Sequence, residues 1–526
     1  MPESLTRSAD ARSIGSGRAS RVCQDDRVRR RVGAKRIRAA LVALVIISAV
    51  PASAHADAQA VSAQVGAAPQ GQAMGPGYIG FSFEYRAMHV YTGRDPQAVN
   101  PVLVQLVKGL TPGQSPVLRI GGNSSDQTWW PIRGMIPPGG INYALTKGWL
   151  RTTQTLARVL GARLIMGVNL AAGRPAIAAA EARAIIEGIG TRYLQALEIG
   201  NEPDLYGVFS WYRDRRGAYV LSRPSDYSPA DFTAEFTRWR AVLPALPLAG
   251  PAFAGLSWMP SLSDFLNAEP SVRIVTFHRY PLRGCVTDPN DPFFASIPNL
   301  LADSSSAGLA QQVAPYVTLA HADRAPFRLD ELNSAACSGK RGVSDTFASA
   351  LWVLDTLFNL ASVGVDGVNI HTLPRAAYEP FVFSHSGNKW SANVHPLYYG
   401  LLMFAQAFPP HAQLLPVTAP AGPVKIWATQ GADGTTRIVV INKSPDTPAQ
   451  VQLQLPGSPA PAGAEALLAP SITATTGVRI GNLSFGTTTT TGTLPGRPQL
   501  TQINADPTSG IYTVTLPAAS AVLLTR

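Results

Sequence analysis

Hydrophobic residues between positions 78 and 372 fall into eight short runs, and most runs are followed by amphipathic or alanine-rich stretches such as 177–188, 230–243 and 346–360. Apolar runs of four to eight residues are typical of strands that are buried on both faces, as parallel strands are. Eight strands that alternate with helices over this length predict a (β/α)8 barrel, an α/β fold. The predicted strands are 78–84, 117–122, 163–169, 194–202, 246–250, 272–278, 326–331 and 367–371.

The pattern changes after residue 408. Pro409 and Pro410 interrupt the helical pattern, and the rest of the chain shows short alternating runs separated by turns rich in Gly, Pro and Asn. This alternation predicts an antiparallel β-sandwich. We therefore expect a catalytic barrel over 78–408 and a sandwich over 409–526, and we expect segment 57–77 to add a strand to the sandwich.

The first 56 residues have the pattern of a leader. Lys35, Arg36 and Arg38 precede the apolar run 39–50, and small residues spaced as in a cleavage site follow up to Ala56. A basic flank, a short apolar core and small residues predict a secretory signal peptide, with an uncleaved anchor as the alternative. The apolar run is short for a membrane span, which needs roughly 20 residues. We expect an exported protein, periplasmic or extracellular, with no membrane association after cleavage.

Positive charge is concentrated in this leader. The first 54 residues hold 11 of the 44 Lys and Arg residues but only 4 of the 33 Asp and Glu residues, so that +4 of the formal net charge of +11 belongs to the rest of the chain. A nucleic-acid partner is therefore not expected. The sequence has no phosphate-binding loop, dinucleotide fingerprint, metal-ligand spacing or Gly-x-Ser-x-Gly elbow, so no cofactor is expected.

Two cysteines, Cys285 and Cys337, lie outside the leader. Each comes just after a predicted strand, at the same end of the barrel, and export permits disulfides. A bridge between them and two free thiols are both compatible with the sequence.

Two glutamates, Glu202 and Glu331, end the fourth and seventh predicted strands. The carboxyl ends of barrel strands carry the chemistry of barrel enzymes, and a carboxylate pair is what hydrolysis of a glycosidic bond requires. Pro203 should hold Glu202 in an extended backbone, with a helix start over 201–204 as the alternative. Since strand residues alternate, Asp330 and Glu331 should point to opposite sides, and Asp330 remains an alternative to Glu331.

Other polar residues follow the same strand ends. Asn201 can donate to a sugar hydroxyl, and Tyr280 can hydrogen-bond to a nucleophilic carboxylate, although a packed aromatic ring is the alternative for Tyr280. Arg119 is expected to neutralise the carboxylates from below, while Asn123 and Asp126 face the cleft.

Further candidates have two interpretations each. Glu84, at the end of the first strand, is a candidate either for binding sugar hydroxyls or for forming a salt bridge within a loop. Tyr378, Trp129 and Trp130 suit either stacking on sugar faces or burial. His371 is expected to be a core histidine.

Five motifs together resemble glycoside hydrolase family 79, which contains β-glucuronidases and heparanases within clan A of the barrel glycosidases. They are Leu-Arg-Ile-Gly-Gly-Asn-Ser-Ser-Asp at 118–126, Glu-Ile-Gly-Asn-Glu-Pro at 198–203, His-Arg-Tyr at 278–280, Glu-Leu-Asn-Ser at 331–334 and Gly-Val-Ser-Asp-Thr-Phe-Ala-Ser-Ala-Leu-Trp at 342–352. The resemblance covers most of residues 78–410. It implies a retaining mechanism without a cofactor, in which Glu202 is the acid/base and Glu331 the nucleophile. It also implies that Asn201 binds the sugar 2-hydroxyl and that Tyr280 orients Glu331.

The resemblance implies a receptor for a uronic acid carboxylate in the loop after the nucleophile. In relatives this loop is often glycine-rich and contains a tyrosine, whereas loop 334–342 has no tyrosine. Its backbone N–H groups, Lys340 or Arg341, and the hydroxyl of Tyr378 are the candidates here.

The resulting hypothesis is an exported, monomeric retaining β-glucuronidase whose partner is a carbohydrate substrate, a glucuronide or a glycan that contains glucuronic acid. The modest charge outside the leader favours exo action. The alternatives are a clan A glycosidase for another sugar, such as a β-xylosidase or arabinofuranosidase, and a non-catalytic carbohydrate-binding or adhesion protein.

Overall fold

The computed structural model describes residues 58–526, so the predicted signal peptide lies outside the described residues. Eight parallel strands close into a barrel in which each strand pairs with the next and the last pairs with the first. Their residues are almost all buried, which explains why each strand appears in the sequence as a continuous apolar run. The predicted barrel is therefore confirmed. The strands are β1 (Ile79–Glu84), β2 (Val117–Gly121), β3 (Arg163–Val168), β4 (Leu194–Ile199), β5 (Leu248–Phe253), β6 (Val272–Arg279), β7 (Phe327–Leu332) and β8 (Gly367–Thr372).

One main helix, of 7 to 16 residues, follows each barrel strand. Four of these helices begin with a proline, whose missing N–H costs nothing at the first helical position. The helices are α1 (Pro101–Leu110), α2 (Lys147–Leu160), α3 (Pro175–Ile189), α4 (Pro229–Arg240), α5 (Leu262–Ala268), α6 (Ala307–Ala322), α7 (Phe347–Ser362) and α8 (Pro396–Ala407). Shorter α-helices span Met88–Thr92 and Ile297–Leu301, and 3-10 turns span Tyr85–Ala87, Ser125–Gln127, Thr191–Tyr193, Pro203–Leu205, Met259–Ser261 and Asp303–Ser305. No helix among residues 58–526 is both long enough and apolar enough to cross a membrane.

Two facing sheets form the predicted sandwich. One contains Val417–Thr418, Gln59–Val65, Ala449–Gln454 and Ile511–Leu516. The other contains Gln413–Leu415, Val424–Gln430, Thr436–Asn442, Ser520–Thr525, Ala462–Leu468, Arg479–Ile480 and Thr501–Ile503. Buried and exposed residues alternate along Ala449–Gln454, as expected where one face packs on a core. The pairing is antiparallel except that Gln59–Val65 runs parallel to Ala449–Gln454.

Four small two-stranded sheets lie outside the barrel and the sandwich. They pair Thr128–Trp129 with Tyr143–Ala144, Ser210–Arg213 with Tyr219–Leu221, Leu282–Arg283 with Ala335–Ala336, and Phe381–Ser386 with Lys389–Val394.

The sandwich packs against α7 of the barrel. The rings of Phe358 and Trp427 stack with centroids 5.4 Å apart, and the indole N–H of Trp427 donates to Asp355 over 2.9 Å. Lys443 forms an ion pair with the same Asp355 carboxylate, and both side chains are almost fully buried. A buried ion pair and a stacked aromatic pair thus join the two units.

A disulfide joins Cys285 to Cys337, with Cα atoms 5.7 Å apart. It links the loop after β6 to the loop after β7, next to the short parallel pair formed by Leu282–Arg283 and Ala335–Ala336. The sequence did not distinguish a disulfide from two free thiols, and the structure contains the disulfide.

Removing this bridge should lower stability. The cross-link closes a loop of 52 residues, so we expect the Cys285→Ser/Cys337→Ser double variant to lose about 2–4 kcal/mol of unfolding free energy. Denaturant titration under oxidising conditions measures the loss, and reductant should shift the wild-type midpoint in the same direction. A midpoint that neither treatment moves would contradict a stabilising bridge.

Candidate active site

The two predicted glutamates lie at the carboxyl ends of the barrel strands. Glu331 is on β7, and Glu202 lies three residues beyond the end of β4. One carboxylate oxygen of each, together with one ring nitrogen of His278, lie within 4.8 Å of one another. Carboxyl groups of retaining glycosidases are roughly 5–5.5 Å apart, whereas inverting enzymes need a wider gap for water.

The backbone at Glu202 differs from the prediction. Its φ and ψ are 51° and 52°, in the left-handed region, so the extended conformation predicted from Pro203 is wrong. The backbone N–H of Glu202 donates to the carbonyl of Ala252 on β5, and its own carbonyl accepts from Leu205. These contacts override the local preference, at a cost of about 1–3 kcal/mol for such a residue. The alternative, a helix start, is limited to the 3-10 turn Pro203–Leu205.

A bulge places Asp330 and Glu331 on the same side of β7. Pairing with β6 passes directly from Leu329 opposite Phe277 to Glu331 opposite His278, which leaves Asp330 as the extra residue. Both carboxylates therefore reach into the barrel, and the predicted alternation is wrong at this point. Bulges re-aim side chains in this way next to active sites. Asp330 is fully buried, whereas Glu331 lies nearer the mouth of the barrel.

Arg119 on β2 is the centre of the buried cluster. Its guanidinium lies 2.7 Å from Glu198, 3.3 Å from Asp330 and 2.6 Å from Glu331, and it has no exposed surface. It also donates to the Asn201 side chain over 2.8 Å. Burial alone would lower the pKa of Arg119, but the three carboxylates outweigh burial and hold that pKa well above its usual value. Arg119 is thus a permanent cation beneath the two glutamates, where the sequence predicted it.

Glu331 is held as a carboxylate by four groups. Tyr280 donates its hydroxyl to one oxygen over 2.8 Å, while Arg119 binds the other. His371 and His278 lie 3.5 and 3.9 Å from the carboxylate. Burial raises the pKa of Glu331, but the charges of the two histidines and Arg119 and the hydrogen bond from Tyr280 lower it far below its usual range. An ionised, oriented carboxylate is suited to nucleophilic attack.

His278 lies between the two glutamates, and the sequence did not assign it a role. Its Nδ1 is 3.0 Å from Glu202, and its Nε2 faces Asp330 at 3.5 Å. Burial and Arg119 lower the pKa of His278, but Glu331, Glu202 and Asp330 raise it to about 9, so the ring is a cation at neutral pH. Tyr280, just beyond the end of β6, was predicted to reach the site. Because alternate residues of an extended chain point to the same side, its position was the available sequence signal for His278.

Glu198 and Asp330 form a carboxyl pair below this layer. Both side chains are fully buried. Burial and the charge of Glu198 hold the pKa of Asp330 well above its usual value, while Arg119 helps to lower the pKa of Glu198. The raised pKa favours the protonated form of Asp330. Glu198, His278 and Asp330 have metal-like spacing, but the Arg119 guanidinium already neutralises these carboxylates and disfavours a second cation.

The predicted polar residues lie around the pair in different settings. Asn201 donates to the exposed Asn123 over 3.1 Å, so the two amides form one edge of the site. Glu84 is buried and accepts from the Ser124 backbone N–H over 2.7 Å. Asp126 is buried as well and accepts from backbone N–H groups of neighbouring loops, so it fixes these loops.

Tyr378 lies beside Tyr280 and His371, whereas Lys340 is exposed on the loop after β7. The Tyr378 ring centroid is 6.3 Å from that of Tyr280 and 6.1 Å from that of His371. Lys340 is exposed, and its backbone N–H binds Ser344. Trp129 is buried in a small core.

Replacing Arg119 should destabilise the barrel. Arg119→Met leaves the buried carboxylates without their central cation, and we expect a loss of about 3–5 kcal/mol of unfolding free energy. Arg158→Met, on the exposed face of α2, is the matched control and should change stability by less than about 0.5 kcal/mol. Denaturant titration measures both, and equal stabilities for the two variants would contradict the central role of Arg119.

Comparisons with known proteins agree with the motifs. Residues 426–523 match the family model for the glycosyl hydrolase family 79 C-terminal beta domain. A β-glucuronidase of Neurospora crassa is 23% identical over 371 residues, which span 63% of this chain and 63% of that protein.

Solved structures share the barrel-and-sandwich fold. A 4-O-α-L-rhamnosyl-β-D-glucuronidase from Fusarium oxysporum is 20% identical with a TM-score of 0.70, covering 88% of this chain and 100% of that one. A family 51 arabinofuranosidase from Xanthomonas axonopodis is 14% identical with a TM-score of 0.62, covering 89% and 100%. The family model and the Neurospora relative thus show similarity to glycoside hydrolase family 79, in agreement with the motifs, and the solved structures show the same fold.

Proposed function

We propose that the protein is a retaining β-glucuronidase in which Glu331 is the nucleophile and Glu202 the acid/base. The observation that carries the proposal is the difference in surroundings between two carboxyl groups whose oxygens lie within 4.8 Å of each other. Glu331 is bound by Arg119 and Tyr280 and kept ionised. Glu202 is the more exposed, at 17% of its side chain, and has one charged partner, His278, within 4 Å.

The reaction follows from this contrast. Glu331 attacks the anomeric carbon as the bond to the leaving oxygen breaks, and Glu202 gives its proton to that oxygen. Glu202, now a carboxylate, takes a proton from water, and the resulting hydroxide displaces Glu331 and frees the sugar with retained configuration. Asn201, held by Arg119, is in position to bind the 2-hydroxyl, and Glu84 and Asn123 are proposed to bind other hydroxyls.

A glucuronide is the substrate supported best. The Neurospora relative is named a β-glucuronidase, and the Fusarium enzyme is named for a rhamnosyl-glucuronide. In this chain the uronate carboxylate is assigned to the hydroxyl of Tyr378 and to loop 334–342, where Lys340 and Arg341 add positive charge. We further propose that the protein is exported and acts as a monomer.

A panel of nitrophenyl glycosides tests the substrate. We expect release from the β-glucuronide at a kcat/KM at least about 100-fold above that of the β-glucoside, since the neutral sugar leaves the carboxylate receptor unpaired. The Glu202→Gln variant is the control for contaminating activity. Release from the β-xyloside or arabinofuranoside without release from the glucuronide would support the alternative sugar specificity, and binding without any turnover would support a carbohydrate-binding protein.

The nucleophile is tested by chemical rescue. Glu331→Gly should lower kcat by at least about 1,000-fold, because the covalent intermediate is no longer formed. Azide should restore turnover by entering the vacated space and should give a product of inverted configuration. Glu187→Gln, an exposed glutamate on α3, is the matched control and should keep full activity. Unchanged activity in Glu331→Gly, or rescue with retention, would contradict the assignment.

A further inference from the structure

We infer that a patch formed by loop 131–141 and hairpin 208–221 is a docking site for an anionic lipid surface. Half of the ten large apolar side chains that are exposed among residues 58–526 belong to this patch. They are Ile136, Val208, Phe209, Tyr219 and Leu221. Large exposed apolar patches are rare on soluble monomers and mark sites of interaction with proteins or membranes. The inference goes beyond the proposed activity and does not depend on it.

The loop and the hairpin lie against each other and form one surface. A Cβ atom added to Gly140 would lie 2.2 Å from the Trp211 ring, and one added to Gly139 would lie 2.8 Å from the Tyr212 ring. The rings of the hairpin therefore pack directly on the glycine backbone of the loop. Trp211 and Met135, which belong to different segments, also pack against the same small core. The exposed side chains of both segments are thus held side by side.

The patch is strongly basic. Arg133, Arg213, Arg215 and Arg216 are exposed in the two segments, and Asp214 is the only acidic residue there. The Asp214 carboxylate accepts from two backbone N–H groups of its own turn. Each arginine near an anionic lipid surface raises partitioning roughly fivefold. The charge of the patch is therefore complementary to anionic headgroups.

The aliphatic members of the patch favour a lipid surface over an acidic glycan, which the arginines alone would also attract. Stacking on a sugar ring needs a flat aromatic face, and neither Ile136, at 85% exposure, nor Val208, at 66%, offers one. Such side chains enter the boundary between headgroups and acyl chains. The guanidinium of Arg213 lies over the Tyr219 ring, 4.1 Å from its centroid. An amphipathic ring paired with a cation suits the level of the headgroups.

The patch adjoins the opening of the candidate active site. Phe209 and Trp211 border the same cavity as Glu202. Docking at the patch therefore holds this opening beside the lipid surface. Hydropathy along the sequence does not detect such a patch, because its members come from two separate segments. The inference thus departs from the expectation of no membrane association.

Sedimentation with vesicles tests the inference on the full chain. The probes are vesicles of phosphatidylcholine alone and vesicles of phosphatidylcholine mixed with phosphatidylglycerol. We expect the partition coefficient to be at least about tenfold higher on the anionic vesicles, as several arginines near the surface require. Added salt should reduce this difference because it screens the charges. All variants carry the same leader, so its contribution cancels in each comparison with the wild type.

A pair of double variants locates the apolar contact. Ile136→Ser/Val208→Ser should lower partitioning onto anionic vesicles by at least about tenfold, because two aliphatic side chains no longer leave water. Val242→Ser/Leu500→Ser removes apolar side chains that are 44% and 55% exposed elsewhere on the molecule. This matched control should partition like the wild type. Thermal melting should be the same in all of these proteins, because every altered side chain is exposed.

The basic contact is tested separately. Arg215→Ser/Arg216→Ser should lower the ratio of partitioning between anionic and neutral vesicles by at least about tenfold, from roughly fivefold for each arginine. An unchanged ratio in this variant would overturn the inference, as would equal partitioning of the wild type and Ile136→Ser/Val208→Ser. Absence of vesicle binding would also overturn it, and binding to hyaluronan in that case would assign the patch to an acidic glycan. Hydrolysis of glucuronides tests the proposed function independently of all these outcomes.

Discussion

The ion pairs of Arg119 are the interaction on which the site depends. A guanidinium with no exposed surface binds Glu198, Asp330 and Glu331 and holds the side chain of Asn201. It thereby ties β2 to β7, to β4 and to the loop that carries Glu202. Arginine suits this position because its planar fork donates in several directions at once and keeps its charge when buried. Without it, the carboxylates that hydrolysis of a glycosidic bond requires would repel one another in a medium that screens them poorly.

Charge pairing explains the layer beneath Glu202 and Glu331. The positive charges of Arg119 and His278 lie directly against the carboxylates of Glu198 and Glu331. The raised pKa of Asp330 favours its neutral form, which limits the negative charge of the cluster. A buried cluster whose charges cancel avoids the large cost of an uncompensated ion. Asp330 is therefore better understood as a neutral positioning residue than as an alternative nucleophile.

The sequence predicted the strands, the two glutamates and Tyr280 because each depends on local pattern. Buried parallel strands leave continuous apolar runs, and residues at their ends converge whatever the details of packing. The missed features depend on contacts between distant residues. The Ala252 carbonyl fixes the Glu202 backbone, the β6–β7 register creates the bulge at Asp330, and the charge of His278 arises from carboxylates on two other strands. No local pattern encodes such contacts.

The two halves of the site are built differently, and the chemistry explains why. The proposed nucleophile, Glu331, must remain an anion, and it is enclosed by a cation, a hydroxyl and two histidines. The proposed acid/base, Glu202, must lose and regain a proton in every turnover, and it lies nearer solvent, on a loop, with a single charged neighbour within 4 Å. Its neighbour His278 is shared with Asp330 and Glu331, so Glu202 has no cation of its own, in contrast to the direct contact of Arg119 with Glu331.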